Sequence, residues 1–328
     1  MKLAHIAVAV CLGLAAMPAT AQQFQLSHNA APGNPKSDAS IMFADLVKER
    51  TEGRVMIDVG GSAQFGEDAE ALTNMRLGTM AFSANSQGTS SAVVPELAVL
   101  GLPFLFGNLP QAWEVMDGPI GDRLAEAAEA QGLVILAFWD NGIRQTSNNV
   151  RPIKTPADLA GLKIRTPPDP ITIDIFNALG ANPLPLAFSE LYIALQQGVV
   201  DGQENPLINI YSSKLYEVQK YISLTGHKYE STVLLASKII WDTFSPEDQE
   251  IIRAAATESG QYNRERSLND EKALRATLEE AGIIFNEVDS ATFQAATKTV
   301  YDQWSEKFPG LVDDIVAASA AAAAAQGK

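Results

Sequence analysis

Hydrophobic and polar positions succeed one another regularly along the first third of the chain. Phe24-Gln25-Leu26-Ser27-His28 has the period-2 alternation of a strand. A loop follows, Ala30-Ala31-Pro32-Gly33-Asn34-Pro35. Then Ala39, Met42, Phe43, Leu46 and Val47 recur at helical spacing, with Gly53 placed past the end as a C-cap. Residues 54–59 alternate again. Gly60-Gly61-Ser62 turns the chain, Leu72, Met75 and Arg76 predict a helix ending near Gly78, and residues 79–84 predict the next strand. Short strands alternating with amphipathic helices predict an α/β fold.

Residues 97–106 are densely apolar but broken by Gly101 and Pro103, which reads as a buried connection. Residues 119–131 predict a helix with Leu124, Ala127 and Ala128 on one face. Residues 133–139 are continuously apolar, as a central strand requires. Near Asn141-Gly142 the chain is expected to pass from one domain to another. Thr155-Pro156-Ala157-Asp158 has a capping threonine and a proline at the first helical position. Ser189 is expected to cap a helix that Gly198 stops. Ser245-Pro246-Glu247-Asp248 opens a helix that can run to about Glu280, interrupted only by Gly260. That is far beyond the usual length and long enough to bridge two domains. The alanine-rich residues 317–327 favour helix but bury little, so this end is expected to fray.

Composition adds an address. Lys2 followed by the apolar run Ile6–Leu14 and Ala19-Thr20-Ala21 has the layout of a signal peptide, giving a mature start at Gln22. The only cysteine, Cys11, lies inside that run without the setting of a lipid anchor, so the mature chain carries no thiol. An exported chain without disulfides fits a Gram-negative periplasm. Its roughly 307 mature residues predict two domains. Removing Lys2 leaves 23 basic residues against 39 acidic ones, a net charge of −16. Such a chain is repelled by nucleic acid and anionic membranes, so any attraction for an anionic solute must be local.

The chemistry expected of an enzyme is missing. Only His28 and His227 remain in the mature chain, far apart and without cysteine, which argues against zinc. Gly60-Gly61-Ser62-Ala63-Gln64-Phe65-Gly66 lacks the Lys-Ser/Thr of a phosphate loop, and there is no dinucleotide fingerprint and no nucleophile elbow. No cofactor is therefore expected. What stands out is Arg165. Leu162 and Ile164 alternate with Lys163 and Arg165 as in a half-buried strand, and Pro167-Pro168 stops it. That sets a planar fork of donors, matched to a carboxylate, at a strand end. Arg144 is expected at the end of a second strand, and Asn205 follows Asp201-Gly202 with an amide that both donates and accepts.

Four motifs carry a resemblance. They are Gly142-Ile143-Arg144-Gln145-Thr146-Ser147-Asn148, Leu162-Lys163-Ile164-Arg165-Thr166-Pro167, Ala187-Phe188-Ser189-Glu190-Leu191-Tyr192 and Val200-Asp201-Gly202-Gln203-Glu204-Asn205-Pro206. The chain resembles the solute-binding proteins of tripartite ATP-independent periplasmic (TRAP) transporters. The resemblance implies two α/β domains with mixed sheets, crossing hinge strands and a long bridging helix, closing around an organic acid. It also implies the small and large membrane subunits of the transporter as partners. The domains are expected as residues 22–141 with 231–270, and 142–230 with 271–328. By motif match Arg165 is the carboxylate anchor, Asn205 its amide partner, Arg144 a second arginine and Phe188 an aromatic wall. Asn29, Asp68 and Asn85 are the polar contacts from the other domain. Ligands implied are sugar acids such as uronates, or C4-dicarboxylates. Two alternatives stay open at this stage: a secreted α/β hydrolase or lyase acting on a carboxylated sugar, and a receptor feeding a sensor kinase.

Overall fold

The computed structural model describes residues 22–327, apart from the side chains of Glu271 and Lys272. The expected leader, with Cys11 and Ala19-Thr20-Ala21, lies outside the described residues. The strands are β1 (Gln22–Ser27), β2 (Val55–Gly60), β3 (Phe82–Ser86), β4 (Leu133–Asn148), β5 (Lys163–Thr166), β6 (Asn182–Pro185), β7 (Gly202–Asn205), β8 (Tyr221–Ser237) and β9 (Ile284–Glu287). The helices are α1 (Pro35–Arg50), α2 (Asp68–Arg76), α3 (Gln87–Ser90), α4 (Leu109–Met116), α5 (Pro119–Ala130), α6 (Pro170–Ala178), α7 (Leu191–Gln196), α8 (Leu207–Ser212), α9 (Lys238–Trp241), α10 (Pro246–Glu280), α11 (Ser290–Ala296), α12 (Lys298–Lys307) and α13 (Leu311–Gln326).

The strands form one mixed sheet ordered β2-β1-β3-β8-β4-β7-β5-β6, with β9 beside β8. Its two halves share β4 and β8. Residues 133–140 pair with 231–237, and β3 flanks that part of β8. Residues 142–148 pair with 221–230, and there β7 flanks β4 while β9 flanks β8. The register slips between Asp140 and Gly142, so Asn141 bulges out of the ladder where the sheet changes neighbours. Gly142 takes φ +121, which a side chain would strain, and a Cβ there would lie 3.0 Å from Pro206.

Helix α10 ties the halves together. Ser245 caps it, its hydroxyl accepting from the Asp248 amide, and Pro246 stands in the first turn, as its sequence requires. Ile252, Ala255 and Ala256 join the core of the first half with Phe43, Phe82 and Trp139. Leu278 joins the core of the second half with Leu191, Ile210 and Ile222. Gly260 lets α10 approach β4, since a Cβ there would stand 2.7 Å from the Trp139 ring. Each large apolar side chain so buried stabilises the fold by roughly 1.5–3 kcal/mol.

Four local expectations are corrected. The strand expected at residues 79–84 forms at Phe82–Ser86, because Gly78, at φ +73, closes α2 and Thr79 still donates to the Asn74 carbonyl. Ser189 does not cap α7. Glu190 is the N-cap, and its carboxylate accepts from the Ala187 amide at 3.0 Å. The alanine-rich tail stays helical to Gln326, with Ser319 and Ala322 buried. Nor does that tail join the second half. Small side chains let α13 lie against α4, where Gln111 Nε2 donates to Ser319 Oγ at 2.9 Å and Ser319 Oγ donates to the Leu105 carbonyl at 2.6 Å.

Candidate functional site

A cavity opens between the two halves. Arg165, Arg144, Asn205, Phe188, Asn29 and Asp68 all line it, although they come from six different segments. Asn85 does not. It is fully buried behind the wall, where its Nδ2 donates to the Asp68 carbonyl at 2.9 Å. The expectation that Asn85 meets a ligand is therefore corrected to a support for Asp68.

Arg165 lies on β5, which is paired on both sides, with β6 and with β7. Burial thus reaches Arg165, which is only 2% exposed and not half-exposed as alternation predicts, although Lys163 on the same strand stays exposed. Its Nε and Nη2 donate to the Leu186 carbonyl at 3.0 and 2.7 Å, and the Phe188 ring centre stands 5.7 Å from Cζ. Among the described residues it forms no ion pair. Burial accordingly lowers its pKa to about 10, only partly offset by Glu204.

Arg144 is differently placed. It sits inside β4, not at a strand end. Its Nε and Nη2 grip both carboxylate oxygens of Glu204, and Nη2 also reaches Asn205 Oδ1 at 3.2 Å. His227 Nε2 lies 3.2 Å from the same carboxylate. Glu204 is held down to about 2: burial opposes this, but the Arg144 charge and the two donors outweigh it. Arg144 therefore reaches the cavity with its charge already met. A continuous ionic chain extends behind it. Glu230 lies 3.8 Å from Arg144, accepts from Ser86 Oγ and the Gly88 amide, and pairs with Lys228, which also pairs with Asp169. Asn205 does not cap α8. Its Oδ1 accepts from Asn209 Nδ2 at 3.1 Å and its Nδ2 donates to Gln203.

The first half contributes two helix starts. Asn34 caps α1, its Oδ1 accepting from the Lys36 amide, while its Nδ2 crosses the cleft to Asn209 Oδ1 at 2.8 Å. At the start of α2, Glu67 Oε1 accepts from the Ser189 amide across the cleft at 3.3 Å. Asp68 Oδ2 accepts from the Ser86 amide at 3.1 Å, and burial raises its pKa despite Lys36 nearby.

Lys36 escaped the sequence reading. It is 4% exposed, lines the cavity, and among the described residues its ammonium donates only to Asn29 Oδ1, at 3.3 Å. A usable signal was present: a lysine in the first turn opposes the helix dipole, which favours acids there. Glu204, Glu230, Lys228 and Asp169 were missed for another reason. Charges that bury one another look, in sequence, like solvated ones.

The site belongs to a recognisable company. The family profile described as bacterial extracellular solute-binding protein, family 7 (DctP), matches residues 26–307. The uncharacterized protein y4mM of Sinorhizobium fredii is 53% identical over 278 residues, which are 84% of this chain and 51% of that protein, so the match spans about half of that relative's length. The sugar acid binding protein DctPAm of Advenella mimigardefordensis, solved with galactonate, superposes with a TM-score of 0.89 at 30% identity, covering 92% of this chain and 98% of that one. A TRAP periplasmic solute-binding protein of Sulfurospirillum deleyianum, solved with succinate, gives 0.85 at 31% identity, covering 89% and 97%. Among the described residues no helix is long and apolar enough to cross a membrane. With the profile match spanning most of the chain and the fold shared throughout, this protein belongs to family 7 of the bacterial extracellular solute-binding proteins, the DctP family.

Proposed function

We propose that the chain is the periplasmic receptor of a TRAP transporter, taking an organic acid into the cleft and handing it to the transporter's membrane subunits. It acts by binding and not by turnover. The observation that carries this reading is Arg165: a buried guanidinium, fixed by a backbone carbonyl, bordering a cavity and without an ion pair among the described residues. A solute carboxylate supplies the missing counter-charge through charge-assisted hydrogen bonds. Asn205 supports the same carboxylate, and Phe188 walls it. Asn29 and Asp68 offer hydrogen bonds from the opposite half, which favours an acid bearing hydroxyls, such as a uronate or aldonate. The two halves close about the β4 and β8 crossings as the ligand engages both. Melting curves against a library of organic acids test this. Stabilisation by hydroxylated carboxylic acids is expected. Stabilisation only by neutral sugars or by cations would overturn it, as would chemical conversion of the bound acid.

A further inference from the structure

The cavity wall holds a third buried cation besides the two arginines, and it differs from both. Arg144 is ion-paired with Glu204, and Arg165 forms no ion pair among the described residues. Lys36 stands between these cases. Asp68 is the leading charge acting on it, yet the two form no ion pair: among the described residues Lys36 Nζ bonds only to Asn29, and the Asp68 side chain only to the Ser86 amide through Oδ2. Both are more than nine-tenths buried and both line the cavity. An ammonium with donors to spare thus shares one wall with a carboxylate whose Oδ1 has no hydrogen bond from the protein.

We propose that Lys36 and Asp68 together read one hydroxyl at the end of the ligand remote from its carboxylate, and that Asp68 makes the site reject a second carboxylate there. This rests on the reading of the cleft as an organic-acid site. A hydroxyl satisfies both groups at once, accepting from Lys36 and donating to Asp68. A carboxylate in the same place accepts from Lys36 but has no proton for Asp68, and two like charges then share a buried corner. The preferred ligand class is therefore a polyhydroxylated monoacid over the diacid of the same carbon chain.

Matched pairs test this: galactonate against galactarate, and gluconate against glucarate, in which a terminal CH2OH becomes a carboxylate. By calorimetry the wild-type protein should bind at least one monoacid roughly 10- to 100-fold more tightly than its diacid. Lys36→Met should weaken the monoacid by about the same factor, and Asp68→Asn should narrow the gap between monoacid and diacid. Lys36→Met should cost the diacid more still, since its second carboxylate loses a counter-charge as well as a hydrogen bond, whereas a merely structural lysine would lower both affinities equally. Wild-type protein that binds a diacid as well as its monoacid overturns the inference while leaving the organic-acid reading intact. Failure to bind any acid of the four overturns the inference, and failure to bind any acid of the whole library overturns both. The wild-type comparison needs no variant, so it stands even if Lys36→Met does not fold.

Discussion

Arg165 is held by Leu186, not by an acid: both Nε and Nη2 of the guanidinium donate to a single backbone carbonyl. The fork is aimed, but its charge is left for something else to meet. A cation whose pKa falls on folding, here to about 10, is destabilising at neutral pH, and that penalty fades only as the pH rises past the lowered value. Replacing Arg165 with Met should therefore raise the melting temperature of the unliganded protein by about 2–5 °C. The same change should cut acid affinity roughly 30- to several-thousand-fold. A variant that melts lower and still responds to the acid would remove Arg165 as the anchor.

Glu204 should be the acid-sensitive joint of the site. Its carboxyl is depressed to about 2 in the folded chain against an ordinary value near 4.5. The stability it contributes is complete above the ordinary value and is lost as pH falls towards 2. Urea melts between pH 2 and 5 should show a steep loss in the wild-type protein and a shallower one in Glu204→Gln. Glu204→Ala, which strands the buried Arg144, should cost about 3–5 kcal/mol at pH 7.

His28 should act at milder acidity. Burial, and then the Lys36 charge, lower it to about 4 from 6.5. A histidine kept neutral by folding stabilises above the unfolded value, and that stability drains away between about pH 6.5 and 4 as the unfolded chain takes up the proton. His28→Gln should flatten the stability profile in that window by up to about 3 kcal/mol. An unchanged slope would count against this assignment.

Asn209 links the two halves to the anchor, since it accepts from Asn34 across the cleft and donates to Asn205 and Asn141. Asn209→Ala should weaken ligand binding by about 10-fold, chiefly through faster dissociation. Stopped-flow release measurements would show it, with thermal stability nearly unchanged.

What the sequence disclosed depended on what kind of burial was involved. The α10 start was legible because Ser245 and Pro246 act locally. Arg165 was placed on its strand by Pro167-Pro168, yet its depth was not, since pairing with β6 and β7 is a long-range matter. Arg144 was expected at the end of a second strand, beyond the change of domain near Asn141-Gly142. In the fold β4 continues through polar residues buried by one another, which no hydropathy pattern registers. Asn85 and Asp68 looked equivalent, but on β3 the Asn85 amide turns towards Ser83 and the Asp68 backbone, away from the cavity.

The chain passes between the halves four times, along β4, β8 and α10 and again where α13 returns to α4. Neither half is one continuous stretch of sequence. A single genetic junction between this protein and a relative would therefore scramble both sides of the cleft. Exchanging one half intact takes four junctions, three of them cut through the ladder or the long helix that join the halves. Selectivity in such a receptor is thus expected to drift by point changes in the wall, as at Lys36 and Asp68, and not by shuffling of parts.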